Sequence, residues 1–326
     1  MAELRYGAAL NRALADAMAE DPSVVILGED VANAGGSFGV TRRLKERFGA
    51  TRVMDTPISE AAIAGMAVGA AMSGLKPVFE IMFMDFSTLA MDALVNQAAK
   101  ARFMFGGQCS VPLVMRTPHG GGVSAGPQHS QCLEAWFAHV PGLKVVCPSG
   151  ANNAYGLMRS AIRDPDPVIF VEHKGLYASK AEVPDDPAVV PLGKAATARP
   201  GSDVTVVSYG AAVGIVLEAA ERVAAERTSV EVIDLQTLQP WDEQAVLTSL
   251  AKTHHLVVVH EAVEAFGVGA EIVARMADVS FDELDGPIVR VGAHFMPVPF
   301  AAVLEQLYRP SCDRVVAAIH KALNKE

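Results

Sequence analysis

Short, uninterrupted apolar runs alternate with helix-patterned segments along almost the whole chain, and this constrains the fold more than any other feature. Residues Tyr6 to Ala19 place Ala9, Leu10, Ala13, Leu14 and Ala17 on one helical face, and Pro22 closes the segment. An apolar strand, Val24 to Leu27, follows, and then a glycine-rich loop from Asn33 to Gly39. Further strands are predicted at Val78 to Phe83, Val111 to Met115, Lys144 to Cys147 and Val168 to Val171, with helices around 59–74, 86–104 and 150–163. A strand that is apolar at every position buries both of its faces. Strands of that kind joined by helices form a parallel sheet covered on both sides, so the fold class is α/β.

The pattern breaks between about Tyr177 and Ser202, where Pro184, Asp185, Asp186, Pro187, Pro191 and Pro200 fall with no sustained periodicity. It resumes with a strand at Val204 to Ser208, a helix from Ala211 to Ala225, and strands at Val230 to Ile233, Leu256 to Val259 and Ile288 to Val291. A chain of 326 residues is too long for one ordinary core. The expected organisation is one domain over 1–183, a linker over 184–202 and a smaller α/β domain over 203–326.

Charge and length remove several function classes. Lys and Arg number 27 against 37 Asp and Glu, a net charge of −10, and no basic face is apparent, so nucleic acid is not an expected partner. The longest charge-free apolar stretch, Ala61 to Leu75, falls short of the roughly 20 residues a membrane span needs. No basic-then-apolar leader is recognisable. Cys109, Cys132, Cys147 and Cys312 show no CxxC spacing, as expected of reduced thiols, and a cytoplasmic location is expected.

The segment Asp55-Thr56-Pro57-Ile58-Ser59-Glu60 carries the marks of a helix start: a capping residue, a proline near the first turn and an acidic side chain. Glu60 would complement the helix dipole there, a contribution of a few tenths of a kcal/mol. The helix that follows has no charge for four turns, and Gly65, Gly69 and Ser73 form a small-residue stripe at i, i+4, i+8. A helix apolar all round is a buried helix. Glu60 is then expected at its buried mouth, where a carboxyl must be paired or share a proton.

A second polar segment, Thr117 to Cys132, follows a strand and contains His119, Ser124, His129 and Gln131 among glycines that permit close ligand approach. Either histidine is satisfied locally or belongs to a site; spacing alone leaves both open. Gly122-Val123-Ser124-Ala125-Gly126 fits G-x-S-x-G, but a hydrolase elbow needs a strand running straight into the serine and a helix leaving it. Three glycines before Val123 and Pro127 after Gly126 make the loop too slack. Gly267-Val268-Gly269 lacks the third glycine of a dinucleotide fingerprint, since position 272 is Ile.

Taken together, Leu27-Gly28-Glu29-Asp30, the Asp55–Glu60 run, Gln128-His129-Ser130-Gln131, Pro141 to Val146 and Ser160 to Asp164 resemble, across essentially the whole chain, a known family. It is the beta subunit of the thiamine diphosphate-dependent dehydrogenase component of 2-oxo acid dehydrogenase complexes. Gln128 to Gln131 and Val145 to Ser149 look most like its pyruvate and acetoin branch; the branched-chain branch would have a different loop. The resemblance implies an N-terminal pyrimidine-binding domain and a transketolase-like C-terminal domain. It makes Glu60 the partner of the cofactor's aminopyrimidine nitrogen, with Ile58 and Phe86 on the same wall and His129 beside the thiazolium as a proton donor during acyl transfer to a lipoyl group. It also implies, for some members, a potassium ion held by carbonyls at Leu113, Ala161, Ile162, Asp164 and Asp166, although Pro165 departs from the usual turn.

The Gly-Asp-Gly that opens the diphosphate and Mg²⁺ motif of such enzymes occurs nowhere in the chain. The resemblance therefore implies an alpha partner that brings the metal, an α2β2 heterotetramer and a lipoyl-bearing acyltransferase core. The expected activity is oxidative decarboxylation of pyruvate, with acetoin cleavage next and branched-chain oxo acids after that. Two further classes are a catalytically silent structural subunit, which would have no need of Glu60 and His129, and a serine hydrolase through Ser124.

Overall fold

The computed structural model describes residues 2–184 and 188–325, and the chain divides into two compact units, 1–119 with 136–192, and 120–135 with 193–326. Asp185, Asp186 and Pro187 of the expected linker lie outside the described residues.

The first unit holds strands β1 (Ala2–Arg5), β2 (Val24–Gly28), β3 (Val53–Asp55), β4 (Lys76–Glu80), β5 (Val114–His119), β6 (Lys144–Val146), β7 (Val168–His173) and β8 (Lys180–Val183). Its helices are α1 (Tyr6–Glu20), α2 (Leu44–Phe48), α3 (Glu60–Met72), α4 (Ala99–Met104) and α6 (Ala151–Arg163), while α5 (Glu134–Ala138) begins in the second unit's segment. Within the unit a parallel sheet runs β6-β7-β5-β4-β2-β3, and β1 pairs antiparallel with β8. Every residue of β2, β5 and β7 is buried, the polar Arg116, Thr117, His119, Glu172 and His173 included, and the apolar runs at Val24–Leu27, Val114–Met115 and Val168–Val171 lie within them. The apolar stripe of α1 packs on α6, and Ala9, Leu10, Ala13 and Leu14 are fully buried in that core.

Strand limits shift where the ladder decides them. β5 starts at Val114 rather than 111, because Pro112 has no N–H for a ladder, and runs on to His119 beside β7. β4 ends at Glu80 rather than 83, level with the end of its neighbour β2, Gly28 pairing with Glu80. The helix predicted over 86–104 is three pieces: a 3₁₀ segment Met84–Ala90, a π segment Asp92–Ala98 and α4.

The second unit contains β9 (Ala196–Arg199), β10 (Val204–Ser208), β11 (Val230–Asp234), β12 (Thr237–Gln239), β13 (Leu256–Val263) and β14 (Val289–Ala293). Its helices are α7 (Ala212–Ala224), α8 (Glu243–Thr253), α9 (Val268–Val279), α10 (Ala302–Tyr308) and α11 (Cys312–Ala322). The sheet order is β14-β13-β10-β11-β9, parallel except for β9, which comes from the stretch read as linker and pairs antiparallel with β11 at the edge. Helices α7 and α11 cover one core built from Val204, Val206, Val232, Val257 and Ile319.

Candidate active site

Sheet register brings the acidic residues of the first unit together. Gly28, the last residue of β2, stands opposite Asp55 of β3 and Glu80 of β4, so all three strands finish level. In parallel sheets ligands bind beyond such carboxyl ends. Glu29 follows β2 directly, the Thr56–Ser59 turn follows β3, and the Thr56 N–H donates to the Gly28 carbonyl at 3.0 Å. That bond folds the turn back over the strand end and delivers Glu60 as the first residue of α3.

Glu60 and Glu29 are each only 8% exposed. Burial, reinforced by the negative charges of Glu60, Asp30 and Glu80, pushes the Glu29 carboxyl above the ordinary range, and its Oε1 is buried with no hydrogen-bond partner. Raised in this way, the Glu29 carboxyl favours its protonated form. Ser59 stands at the N-cap of α3 and makes no side-chain capping bond. Glu29 is not singled out by the sequence, where it stands only within the Leu27-Gly28-Glu29-Asp30 motif and Asp30 is the residue that reads as either a turn or a site residue.

Ile58, two residues before Glu60, is 83% exposed, and Phe86, half-buried, meets Phe83 edge-on at 6.0 Å between ring centres. Helix α3 packs on the 84–98 segment that carries Phe86. The sequence expectation that α3 is buried all round holds on one face only. Ile63, Ala64, Ala67, Val68 and Ala71 are buried, whereas Gly65, Met66, Gly69 and Met72 are exposed, and a Cβ added at Gly65 or Gly69 would meet nothing within 4 Å. The chain leaves this apolar face uncovered.

Beneath the acidic pair lies a buried ion network. Arg116 on β5, 1% exposed, donates through Nε and Nη2 to the Glu172 carboxylate at 2.8 and 2.7 Å and through Nη1 to Glu80. The Tyr177 hydroxyl donates to Glu172 Oε2 at 2.7 Å. Burial raises the Glu80 carboxyl against the lowering effect of Arg116.

The five positions of the candidate potassium set lie in the first unit, about the end of α6 and the turn into β7. The side chains of Asp164 and Asp166 are engaged, Asp164 with Lys144 at 2.6 and 2.7 Å and Asp166 with Arg102 at 2.5 Å. The Asp166 N–H donates to Asp164 Oδ1 at 2.9 Å in the turn that contains Pro165. Backbone carbonyls are thus what this turn offers a cation. The Leu113 carbonyl accepts from the Val168 N–H at 3.0 Å, and that of Ala161 from the Asp164 N–H at 3.3 Å.

His129 belongs to the second unit, half-buried in the Gly120–Leu133 segment, which has neither helix nor strand. His119 ends β5 in the first unit, 3% exposed and edge-on to His173 at 5.4 Å. Ser124 is exposed with φ of +55°, and no helix begins until Glu134, so the nucleophile-elbow geometry is absent from this segment.

Two family models match the chain: the transketolase pyrimidine binding domain over residues 2–180 and the transketolase C-terminal domain over residues 193–315. The pyruvate dehydrogenase E1 component subunit beta-2 of Oryza sativa subsp. japonica, a mitochondrial protein, is 44% identical over 324 residues, which is 98% of this chain and 86% of the relative. The acetoin:2,6-dichlorophenolindophenol oxidoreductase subunit beta of Bacillus subtilis (strain 168) is also 44% identical, over 97% of this chain and 96% of its own. Among solved structures, a split-gene transketolase in an inactive beta4 tetramer superposes with a TM-score of 0.81 at 23% identity, covering 97% of each chain. The transketolase of Leishmania mexicana gives 0.74 at 18% identity, over 99% of this chain and 46% of that one. Both likenesses show the fold.

Proposed function

The chain belongs to the family of pyruvate dehydrogenase E1 and acetoin dehydrogenase beta subunits, and from that premise we propose that it supplies the aminopyrimidine half of a thiamine diphosphate site that oxidatively decarboxylates pyruvate and passes the acetyl group to a lipoyl arm. The observation that carries the reading is the buried Glu29–Glu60 pair at the level ends of β2, β3 and β4. An orphaned carboxylate oxygen in such a place fits a ligand that brings hydrogen-bonding nitrogens.

Thiamine diphosphate, when bound, supplies a nucleophilic thiazolium carbon and an electron sink. Glu60, 8% exposed, would hold the pyrimidine ring nitrogen through its carboxyl, sheltered from solvent. The Glu29 carboxyl, raised by burial and by the negative charges near it, favours its protonated form beside that site. Ile58 and Phe86 give the ring apolar walls. His129 serves as proton donor during acyl transfer.

The chain contains no Gly-Asp-Gly, so the diphosphate and its Mg²⁺ fall to an alpha subunit. The uncovered face of α3 is of the kind such a partner would bury, in an α2β2 assembly that serves a lipoyl-bearing acyltransferase core. The 1–183 and 203–326 domains then correspond to cofactor binding and to the transketolase-like C-terminal part. The backbone carbonyls at the end of α6 and in the 164–166 turn would suit a potassium ion. Among the described residues no helix is long and apolar enough to cross a membrane, and all four cysteines are free; we place the protein in the cytoplasm.

The test is reconstitution with the cognate alpha chain and assay of pyruvate, acetoin and branched-chain oxo acids side by side with dichlorophenolindophenol as acceptor. Turnover is expected with pyruvate foremost; a preference for acetoin would assign the chain to the other named branch. Glu60→Gln is expected to lower kcat by about 10²–10⁴, the range for removing a positioned proton-transfer group, with the tetramer intact. Unchanged turnover in that variant would overturn the role given to Glu60.

A further inference from the structure

The glycine-rich segment that carries His129 has no regular structure, and four of its residues, Gly120, Gly122, Ser124 and Gly126, have φ of +84°, +95°, +55° and +76°. Left to itself such a segment samples many conformations. In the second unit it is held from outside. The Gly121 N–H donates to Glu261 Oε1 at 2.7 Å, and the Ser124 N–H donates to Glu305 Oε2 at 3.0 Å. Arg309 Nη2 donates to the other Glu261 oxygen at 2.8 Å. The Phe300 ring lies over Gly126, where an added Cβ would come within 2.2 Å of it. Further along, the Tyr209 hydroxyl donates to Glu134 Oε1 at 2.9 Å.

The helix that presents Glu305 buries it together with Tyr308 and exposes its other large apolar side chains. On α10, Val303, Leu304 and Leu307 are 69, 54 and 66% exposed, while Glu305 is 3% exposed. An amphipathic helix on an apolar core does the reverse, and a buried carboxylate is costly unless its hydrogen bonds compensate. What Glu305 gains in that position is the amide of Ser124, a non-glycine residue held in the left-handed region. Its second oxygen is buried with no hydrogen-bond partner and would lie 2.9 Å from a Cβ at Gly121, so the glycine there is what admits the carboxylate.

We propose that Glu305 is a positioning residue: with the Glu261–Arg309 pair it clamps the 120–131 segment in the conformation that aims His129. This rests on the proton-donor role given to His129 above. The test uses the reconstituted alpha–beta enzyme with Glu305→Ala, Glu305→Gln, His129→Ala and the Glu305→Ala/His129→Ala double variant. Hydrogen exchange reports the clamp independently of activity. In Glu305→Ala, exchange across 120–131 rises by about tenfold or more, the scale of a lost charge-assisted bond, with β10 and β13 unchanged. Acyl transfer to a lipoyl domain falls in kcat by about a hundredfold, the cost of a misplacement near 1 Å, with KM little changed. Glu305→Gln, which keeps an acceptor for the Ser124 amide, restores protection and most of the lost turnover. In the double variant the Glu305 effect disappears.

Unchanged exchange in Glu305→Ala overturns the clamp. A loosened segment with full acyl transfer, alongside an impaired His129→Ala, overturns the positioning role and leaves the functional reading standing. A fully active His129→Ala overturns the role given to His129 and with it the aim assigned to Glu305, while the exchange result still decides the clamp.

Discussion

Replacing Arg116 with methionine tests the foundation on which the acidic site stands. The guanidinium sits between two carboxylates, Glu172 at 0% and Glu80 at 5% exposure, and holds the former with two bonds. At about 4 Å and an effective dielectric near 20, each attraction is worth about 4 kcal/mol. Relief from burying the cation offsets part of this, and Glu80, already pushed toward its protonated form by burial, can take up a proton when the cation is gone. Breaking a buried pair by removing one partner costs about 3–5 kcal/mol net. For a unit of this size that is a fall in Tm of roughly 6–20 °C. Thermal melts at neutral pH measure it, and the deficit shrinks as the pH falls and the stranded carboxylates protonate. A second arm, Glu80→Gln/Arg116→Met/Glu172→Gln, removes the stranded charges and should recover part of the loss. A single-variant cost below about 1 kcal/mol would mean that the network behaves like a surface salt bridge, and the reasoning would fail.

Two further outcomes follow from the same site. Gly69→Leu should leave the melting of the isolated chain within about 1 kcal/mol, since nothing lies within 4 Å of an added Cβ and leucine is the better helix former. It should nonetheless abolish co-elution with the alpha subunit, and an intact, active tetramer would refute the docking role of that face. Glu29→Gln should stabilise the chain at neutral pH. A carboxyl raised in the folded state contributes stability below its unfolded pKa that is lost as pH rises through the folded value. The gain in Tm should therefore close as the pH is lowered toward about 4, and a gap independent of pH would refute the assignment.

The sequence alone carries the α/β class, because strands buried on both faces read as mainly apolar runs, and β2, β7, β10 and β11 appear where those runs lie. It also isolates Glu60, since a lone acid ahead of four uncharged turns is a local pattern. Phe86 is different: its half-buried place beside α3 depends on a helical segment that changes from 3₁₀ to π to α, and periodicity reads it as one helix. β9 hides in a proline-rich stretch because an edge strand needs only one paired side.

What the chain by itself determined is therefore what neighbouring residues encode: the strand and helix periods, the charge-free α3 and the missing diphosphate motif. Tertiary structure alone decided the burial of Glu29 within the electrostatic reach of Glu60, which depends on parallel register bringing two strand ends level. It alone turned Glu305 inward to meet Ser124, 181 residues earlier in the chain. The physical reason is the same in both cases. A buried carboxylate is tolerated only where a specific partner or ligand meets it, and those partners come from strand ends and loops that no local window of sequence contains.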